Sequence, residues 1–181
     1  MINAEKNTLR SRMRKHRKLL AAQEKKVWDD WFNQFLIAEL TKNAWNHIMA
    51  FYPIQNEPDL RPFMQKCFER GIVVLLPVTP PKGPIYPAVL KGFDALCAGP
   101  FGTWHPCDSS PHEGPIDLIL VPGLAFTSDG RRLGYGAGYY DGLLPKFPGT
   151  QAWGIGYPFQ LLDDLPTDSH DVPLQRVLVP G

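Results

Sequence analysis

Two hydrophobic periods alternate along the chain, and they divide it into helical and extended segments. From about Glu5 to Leu20, Leu9, Met13 and Leu20 recur at i, i+4 and i+11 with His16 between them, which predicts a helix. Lys6, Arg10, Arg14 and Arg17 form a neighbouring strip. At ~100° per residue the two strips lie side by side, so the cations are expected to rim the surface on which this helix packs. A second helix is predicted from about Ala22 to Leu40, with Val27, Trp31, Phe35 and Ile37 facing inward. The apolar run His47–Tyr52, ended by Pro53, predicts a buried strand. Pro58 suits the first position of a helix, and Leu60, Phe63, Met64 and Cys67/Phe68 then keep helical spacing until Gly71 stops them. Ile72–Leu76 is aliphatic and bounded by Gly71 and Pro77, a second buried strand. Strand, helix and strand with short links form the βαβ unit of a parallel sheet.

Residues 78–116 carry Pro80-Pro81 and many turn residues; short strands are predicted near Ile85–Leu90 and a small helix near Phe93–Cys97. Asp117–Pro122 reads as a buried strand, followed by a long loop and a helix near Gly138–Phe147. Ala152–Tyr157 and Arg176–Val179 read as closing strands. With no internal repeat and no flexible linker, residues 1–181 are expected to form one α/β domain. Its expected form is a three-layer, Rossmann-like fold of the non-dinucleotide type, with a mainly parallel central sheet flanked by helices.

Composition narrows the class. At 44% hydrophobic and 20% charged, the chain has the means to bury a core and is not of the disordered type. Nineteen prolines and sixteen glycines without a three-residue period indicate many turns. The net charge of +1 argues against a globally basic nucleic-acid coat or an acidic tail. Residues 1–26, however, hold nine Lys/Arg against two Glu, a net of +7, and the remainder holds ten against sixteen, a net of −6. Three cysteines, Cys67, Cys97 and Cys107, include no CxxC, and no disulfide framework is expected. The first residues are charged and no run approaches the ~18 apolar residues of a membrane span. A cytoplasmic, monomeric protein with no membrane partner is the expectation.

The densest chemistry lies in Pro122–Asp141, after an apolar strand and before a helix. Gly134, Gly136 and Gly138 let backbone approach a ligand and expose N–H groups, and the following helix adds its free N-terminal donors. A phosphate suits such a cradle, Arg132 reinforces it, and Asp141 is a candidate magnesium ligand. The spacing matches neither a dinucleotide fingerprint nor a Walker A loop. By spacing alone, a tight glycine turn before a packed aromatic helix accounts for it equally well. Plain alternatives also stand for the other candidates: a solvated helix face for Lys6 and Arg10, a helix-start carboxylate for Glu57, an ion pair for Asp141.

The pattern as a whole is more specific. Pro122-Gly-Leu-Ala-Phe126 followed by Arg132-Leu-Gly-Tyr-Gly-Ala-Gly-Tyr-Tyr-Asp141 resembles the 5-formyltetrahydrofolate cyclo-ligase (methenyltetrahydrofolate synthetase) family. Lys6-Asn-Thr-Leu-Arg10, Tyr52-Pro-Ile-Gln-Asn-Glu57 and Asp171-Val-Pro-Leu174 are similar to that family's other elements, in the same order. The resemblance implies small-molecule substrates: an ATP- and Mg2+-dependent closure of 5-formyltetrahydrofolate to the 5,10-methenyl form, with ADP and phosphate released. It implies an ATP site made by Lys6, Arg10, Arg132, Leu133, Gly134, Tyr135, Gly136, Ala137, Gly138, Tyr139 and Tyr140, with Arg132 and Tyr139 in catalytic roles. Tyr52 and Glu57, with Tyr135 through Tyr139, are implied for the folate, and Asp141 for the metal. Gln175 stands where the family has an aspartate associated with magnesium, so Asp171 is a possible substitute; Gly142 replaces a usual arginine. An inactive folate-binding relative and a nucleic-acid module using the basic first segment are the competing readings.

Overall fold

Strands that are apolar at every position need cover on both faces. In the computed structural model, which describes residues 2–181, helices α1 (Ile2–Leu19) and α2 (Ala22–Glu39) come first. They are followed by β1 (His47–Met49), α3 (Arg61–Glu69), β2 (Val73–Val78) and β3 (Tyr86–Leu90). A hairpin of β4 (Leu96–Ala98) and β5 (Trp104–Pro106) precedes β6 (Leu118–Pro122) and a second hairpin, β7 (Ala125–Phe126) and β8 (Arg132–Leu133). Helix α4 (Tyr139–Leu143), β9 (Gln151–Ile155) and β10 (Arg176–Leu178) complete the order. Six strands make the central sheet in the order β10-β9-β6-β1-β2-β3. All pairs in it are parallel except β2 with β3, which returns antiparallel along the edge.

Alternation along each strand assigns the two faces. Ile48, Val74, Leu76, Leu118, Leu120 and Trp153 pack with Phe32 and Leu36 of α2 and Phe63, Met64 and Cys67 of α3. Met49, Leu75, Ile119, Val121 and Ala152 point the other way, against Tyr140 and Leu143 of α4. Helices thus cover both faces, the α/β class read from the sequence. Met13 of α1 packs instead on Leu124, Ala125 and Leu133 around the second hairpin, together with Leu165.

Four expectations are corrected. The inward face of α2 is Phe32, Asn33 and Leu36, whereas Val27 is exposed, because the helix packs on α3 as well as on the sheet. Helix α3 begins at Arg61 with Pro62 in its first turn, leaving Pro58 outside it. Lys6 and Arg17 do not rim the packed face of α1; they lie within it, buried beside Met13. A disulfide does form, joining Cys97 and Cys107 across the β4–β5 hairpin. Their spacing of ten residues could not announce it, since it arises only when the two strands pair. Cys67 remains a free thiol, pushed up to about 12 by burial.

Candidate active site

The chain runs from β1 to β2 on one side and later enters the sheet on β1's other side as β6. Ligands in open α/β sheets sit outside the strand carboxyl ends where the order reverses in this way. A cavity of about 780 Å³ opens there. Phe51 and Tyr52 after β1, Pro77 of β2 and Pro122 of β6 form its base. The glycine loop, the hairpin residues Phe101, Thr103 and Trp104, and Arg10 and Arg14 of α1 form its walls.

At one end, the backbone after β1 turns through Gln55 and Asn56, both at positive φ, and the turn closes with Glu57 N–H on Ile54 O at 2.9 Å. This directs Glu57 inward, where it is 3% exposed. Its carboxylate accepts the Ile54 N–H at 3.0 Å and the Tyr135 hydroxyl, and Arg17 Nη1 stands 3.9 Å away. Burial raises the Glu57 carboxyl above its ordinary range, opposed by the charge of Arg17 and by the hydrogen bonds from Tyr135 and Ile54. Glu57 is therefore not a helix-start residue, α3 beginning four positions later. The Tyr52 ring lies 6.3 Å from that of Trp104, so this end of the cavity has aromatic walls around one buried carboxylate.

The other end is cationic and backbone-lined. Gly136 and Gly138 have φ of +109° and +65°, which explains glycine at both. Gly138 precedes the first turn of α4. Arg10 Nε donates to Gly134 O at 3.0 Å and Arg14 Nη2 to Tyr135 O at 3.4 Å, so α1 grips the loop from outside. Arg132 Nη2 meets both oxygens of Asp141 at 2.9 and 3.0 Å, while its Nε is buried without a partner. The buried Tyr140 hydroxyl also lacks one, and its phenol is raised by burial.

The sequence-implied residues fall into three groups. Arg10, Arg132, Tyr52, Glu57, Asp141 and the run Leu133–Tyr140 all line the one cavity, although the Leu133 side chain belongs to the core beside Met13. Lys6 is not on the lining. Its ammonium is 2.7 Å from both Asp168 and Asp171, and burial, which opposes its charge, is outweighed by those carboxylates. Gln175 is also off the lining: its Oε1 accepts the Ala152 N–H at 2.7 Å. Asp171 and His170 do face the cavity, and with Asp168 they bring ligand atoms within 4.8 Å of one another. The plain alternative for Asp141 thus describes its observed contact, an ion pair with Arg132. Sequence reasoning missed Phe101 and Trp104, which no motif marks, and Arg17, whose signal was its place on the Lys6 face of α1.

The family model for the 5-formyltetrahydrofolate cyclo-ligase family matches residues 2–180. A 5-formyltetrahydrofolate cyclo-ligase of Mycolicibacterium smegmatis is 34% identical over 74% of this chain and 73% of its own. That of Mus musculus is 27% identical over 98% of this chain and 94% of its own. Among solved structures, a 5,10-methenyltetrahydrofolate synthetase from Mycoplasma pneumoniae superposes with a TM-score of 0.78 at 28% identity, covering 96% of this chain and 97% of that one.

Proposed function

The chain belongs to the 5-formyltetrahydrofolate cyclo-ligase family, and on that premise we propose that it closes 5-formyltetrahydrofolate to 5,10-methenyltetrahydrofolate at the expense of ATP. The observation that carries this reading is one cavity with two chemically different ends. The aromatic end with its buried carboxylate suits a pterin, whose ring presents N–H donors. The glycine loop, Arg10 and Arg132 suit a triphosphate. Arg132 Nε and the Tyr140 hydroxyl, buried without partners, are donors to which an anion's oxygens can bind.

The reaction follows from that layout. The formyl oxygen attacks the γ-phosphorus of ATP and ADP departs, leaving an N5-iminium phosphate. N10 attacks the formyl carbon and loses its proton, and phosphate leaves with the C–O bond. Phosphoryl transfer depends on positioning and on neutralising charge. Arg10 and Arg132 serve that purpose here, and the loop's backbone N–H groups hold phosphate oxygens. Tyr139, on the lining at the start of α4, is assigned to both substrates in this reading. Asp141, with Asp171 nearby on the lining, supplies carboxylate oxygens of the kind magnesium prefers. When bound, that ion neutralises phosphate charge. Asp141 would hold that ion through the carboxylate oxygens that also pair with Arg132, which keeps the guanidinium beside the phosphate end of the cavity.

Absorbance of the methenyl product, followed with and without ATP and Mg2+, tests the reading. Product formation only with both is expected. Folate binding without turnover would favour the inactive relative, and salt-sensitive binding of polynucleotide without folate binding would favour the nucleic-acid module.

A further inference from the structure

Helix α1 sends a guanidinium into the protein behind the carboxylate end of the cavity. Arg17 is 1% exposed. Its Nη2 donates to the Tyr135 hydroxyl at 2.5 Å, and that hydroxyl donates in turn to Glu57 Oε1. Nε and Nη1 of Arg17 are buried without hydrogen-bond partners. Burying a guanidinium with two unsatisfied nitrogens is costly, and an apolar side chain of similar volume would serve stability as well or better. Local rules of this kind are broken at functional sites, and the broken one here points at Glu57.

We infer that Arg17 is a positioning residue for folate: from behind the cavity it supplies Glu57's counter-charge and fixes the Tyr135 hydroxyl, so that a buried carboxylate meets the pterin's N–H edge. This deepens the proposed function and rests on its assignment of Glu57 to the folate. Among the described residues, Arg17 is the one cation at ion-pair distance from Glu57. Tyr135 and Tyr140, the other titratable groups around it, are neutral phenols raised by burial first and by Glu57 second. The charge of Arg132 is taken by Asp141, and Arg10 and Arg14, farther along α1, are turned to backbone carbonyls. Arg14, whose guanidinium lies 5.8 Å from the Tyr135 ring centroid, makes no ion pair with Glu57 among the described residues. Without Arg17, burial acts unopposed by any cation, the Glu57 carboxyl moves further up, and a protonated acid offers the pterin a poorer acceptor.

Calorimetric affinity for 5-formyltetrahydrofolate without ATP, measured from about pH 5 to 9, tests this. Arg17→Met is expected to weaken binding by about tenfold or more at pH 7, the scale of a hydrogen bond to a charged group. Affinity should recover as pH rises and Glu57 ionises again. In wild type that recovery should lie at lower pH than in Arg17→Met, Arg17→Lys should stay close to wild type, and nucleotide affinity should not move. Placed on Glu57→Gln, Arg17→Met should cost less than about twofold, because no carboxylate is left to serve. Wild-type affinity in Arg17→Met, or an equal and pH-independent loss in both backgrounds, overturns the inference. Should Arg17→Met fail to fold, carbon-13 NMR of the wild-type Glu57 carboxyl at pH 7 decides: an ionised group agrees, a protonated one refutes. If wild type itself takes up no 5-formyltetrahydrofolate, the functional reading falls and this inference with it; if wild type binds and Arg17→Met binds equally, the inference alone falls.

Discussion

Asp141→Asn removes the counter-charge of a guanidinium that the fold has enclosed. The Arg132 side chain is 5% exposed and that of Asp141 17%, with contacts of 2.9 and 3.0 Å from one nitrogen, Nη2, to the two carboxylate oxygens. Breaking a fully buried pair from one side costs ~3–5 kcal/mol. The partial exposure of Asp141 and the amide oxygen that remains as an acceptor reduce this to about 2–3 kcal/mol. The Val172 N–H on the same carboxylate, at 3.3 Å, keeps a weaker acceptor and changes the figure little. Arg132→Met/Asp141→Asn takes away the stranded charge, so the double variant should regain much of the loss. Urea denaturation of the four proteins gives the coupling directly, and about 2 kcal/mol is expected. A coupling under ~0.5 kcal/mol, the range of independent sites, would refute the claim that the two side chains form one electrostatic unit. The same variant addresses the metal. If Asp141 is the anchor, Asp141→Asn should lose activity at low magnesium and recover part of it at high magnesium, whereas a wild-type titration moves the anchor to Asp171.

Three further outcomes follow from the geometry. Gly136→Ala must place a side chain at φ +109° with its Cβ 3.4 Å from Arg10 Cζ, while Gly138→Ala, at φ +65°, meets nothing within 4 Å. Both carry a backbone cost of ~1–2 kcal/mol, but only Gly136→Ala should raise the KM for ATP severalfold beyond it, and equal KM values would remove the Arg10 approach from the account. Burial opposes the charge on Asp171, yet hydrogen bonds from Lys6 and the Asp168 N–H outweigh it and hold the carboxyl below its ordinary value. That contribution is complete above the unfolded value of ~3.9 and is lost as pH falls through the folded value. Urea midpoints between about pH 4 and 2 should therefore fall for wild type and fall less for Lys6→Met, and parallel slopes would show that Lys6 is not the cause. The Cys97–Cys107 link closes a short loop whose tip carries Phe101 and whose second strand begins with Trp104, so its cross-link is worth up to ~3 kcal/mol of local order. A dithiol reductant should speed amide exchange in residues 97–107 and raise the KM for folate while leaving that for ATP, and unchanged exchange would show that strand pairing alone holds the hairpin.

Much of this molecule is written in local sequence. The β1–α3–β2 unit follows from an apolar run, a helical period and a glycine stop, all within about thirty residues, and contacts of short range leave such marks. The glycine loop is legible for a related reason: Gly136 and Gly138 occupy left-handed conformations that only glycine adopts without strain, so the backbone's requirement appears directly as residue type. Other features depended on packing. Spacing placed Lys6, Met13 and Arg17 on or beside one face of α1, but which face is buried depends on where β7–β8 lies, more than a hundred residues away. The partner of a charge is likewise a matter of tertiary distance. Lys6 meets Asp168 and Asp171, Arg132 meets Asp141, and Arg17 meets Glu57 through Tyr135, and the first and last of these join residues that share no local period. The Cys97–Cys107 bond and the aromatic wall from Phe101 and Trp104 arise from a hairpin in a stretch of turns and prolines, where periodicity carries no information. The sequence alone determined the main helices, the strands of the central sheet and the glycine loop that lines the cavity. Only the tertiary structure decided which charges are buried and which are free to act, because desolvation and ion pairing depend on neighbours in space.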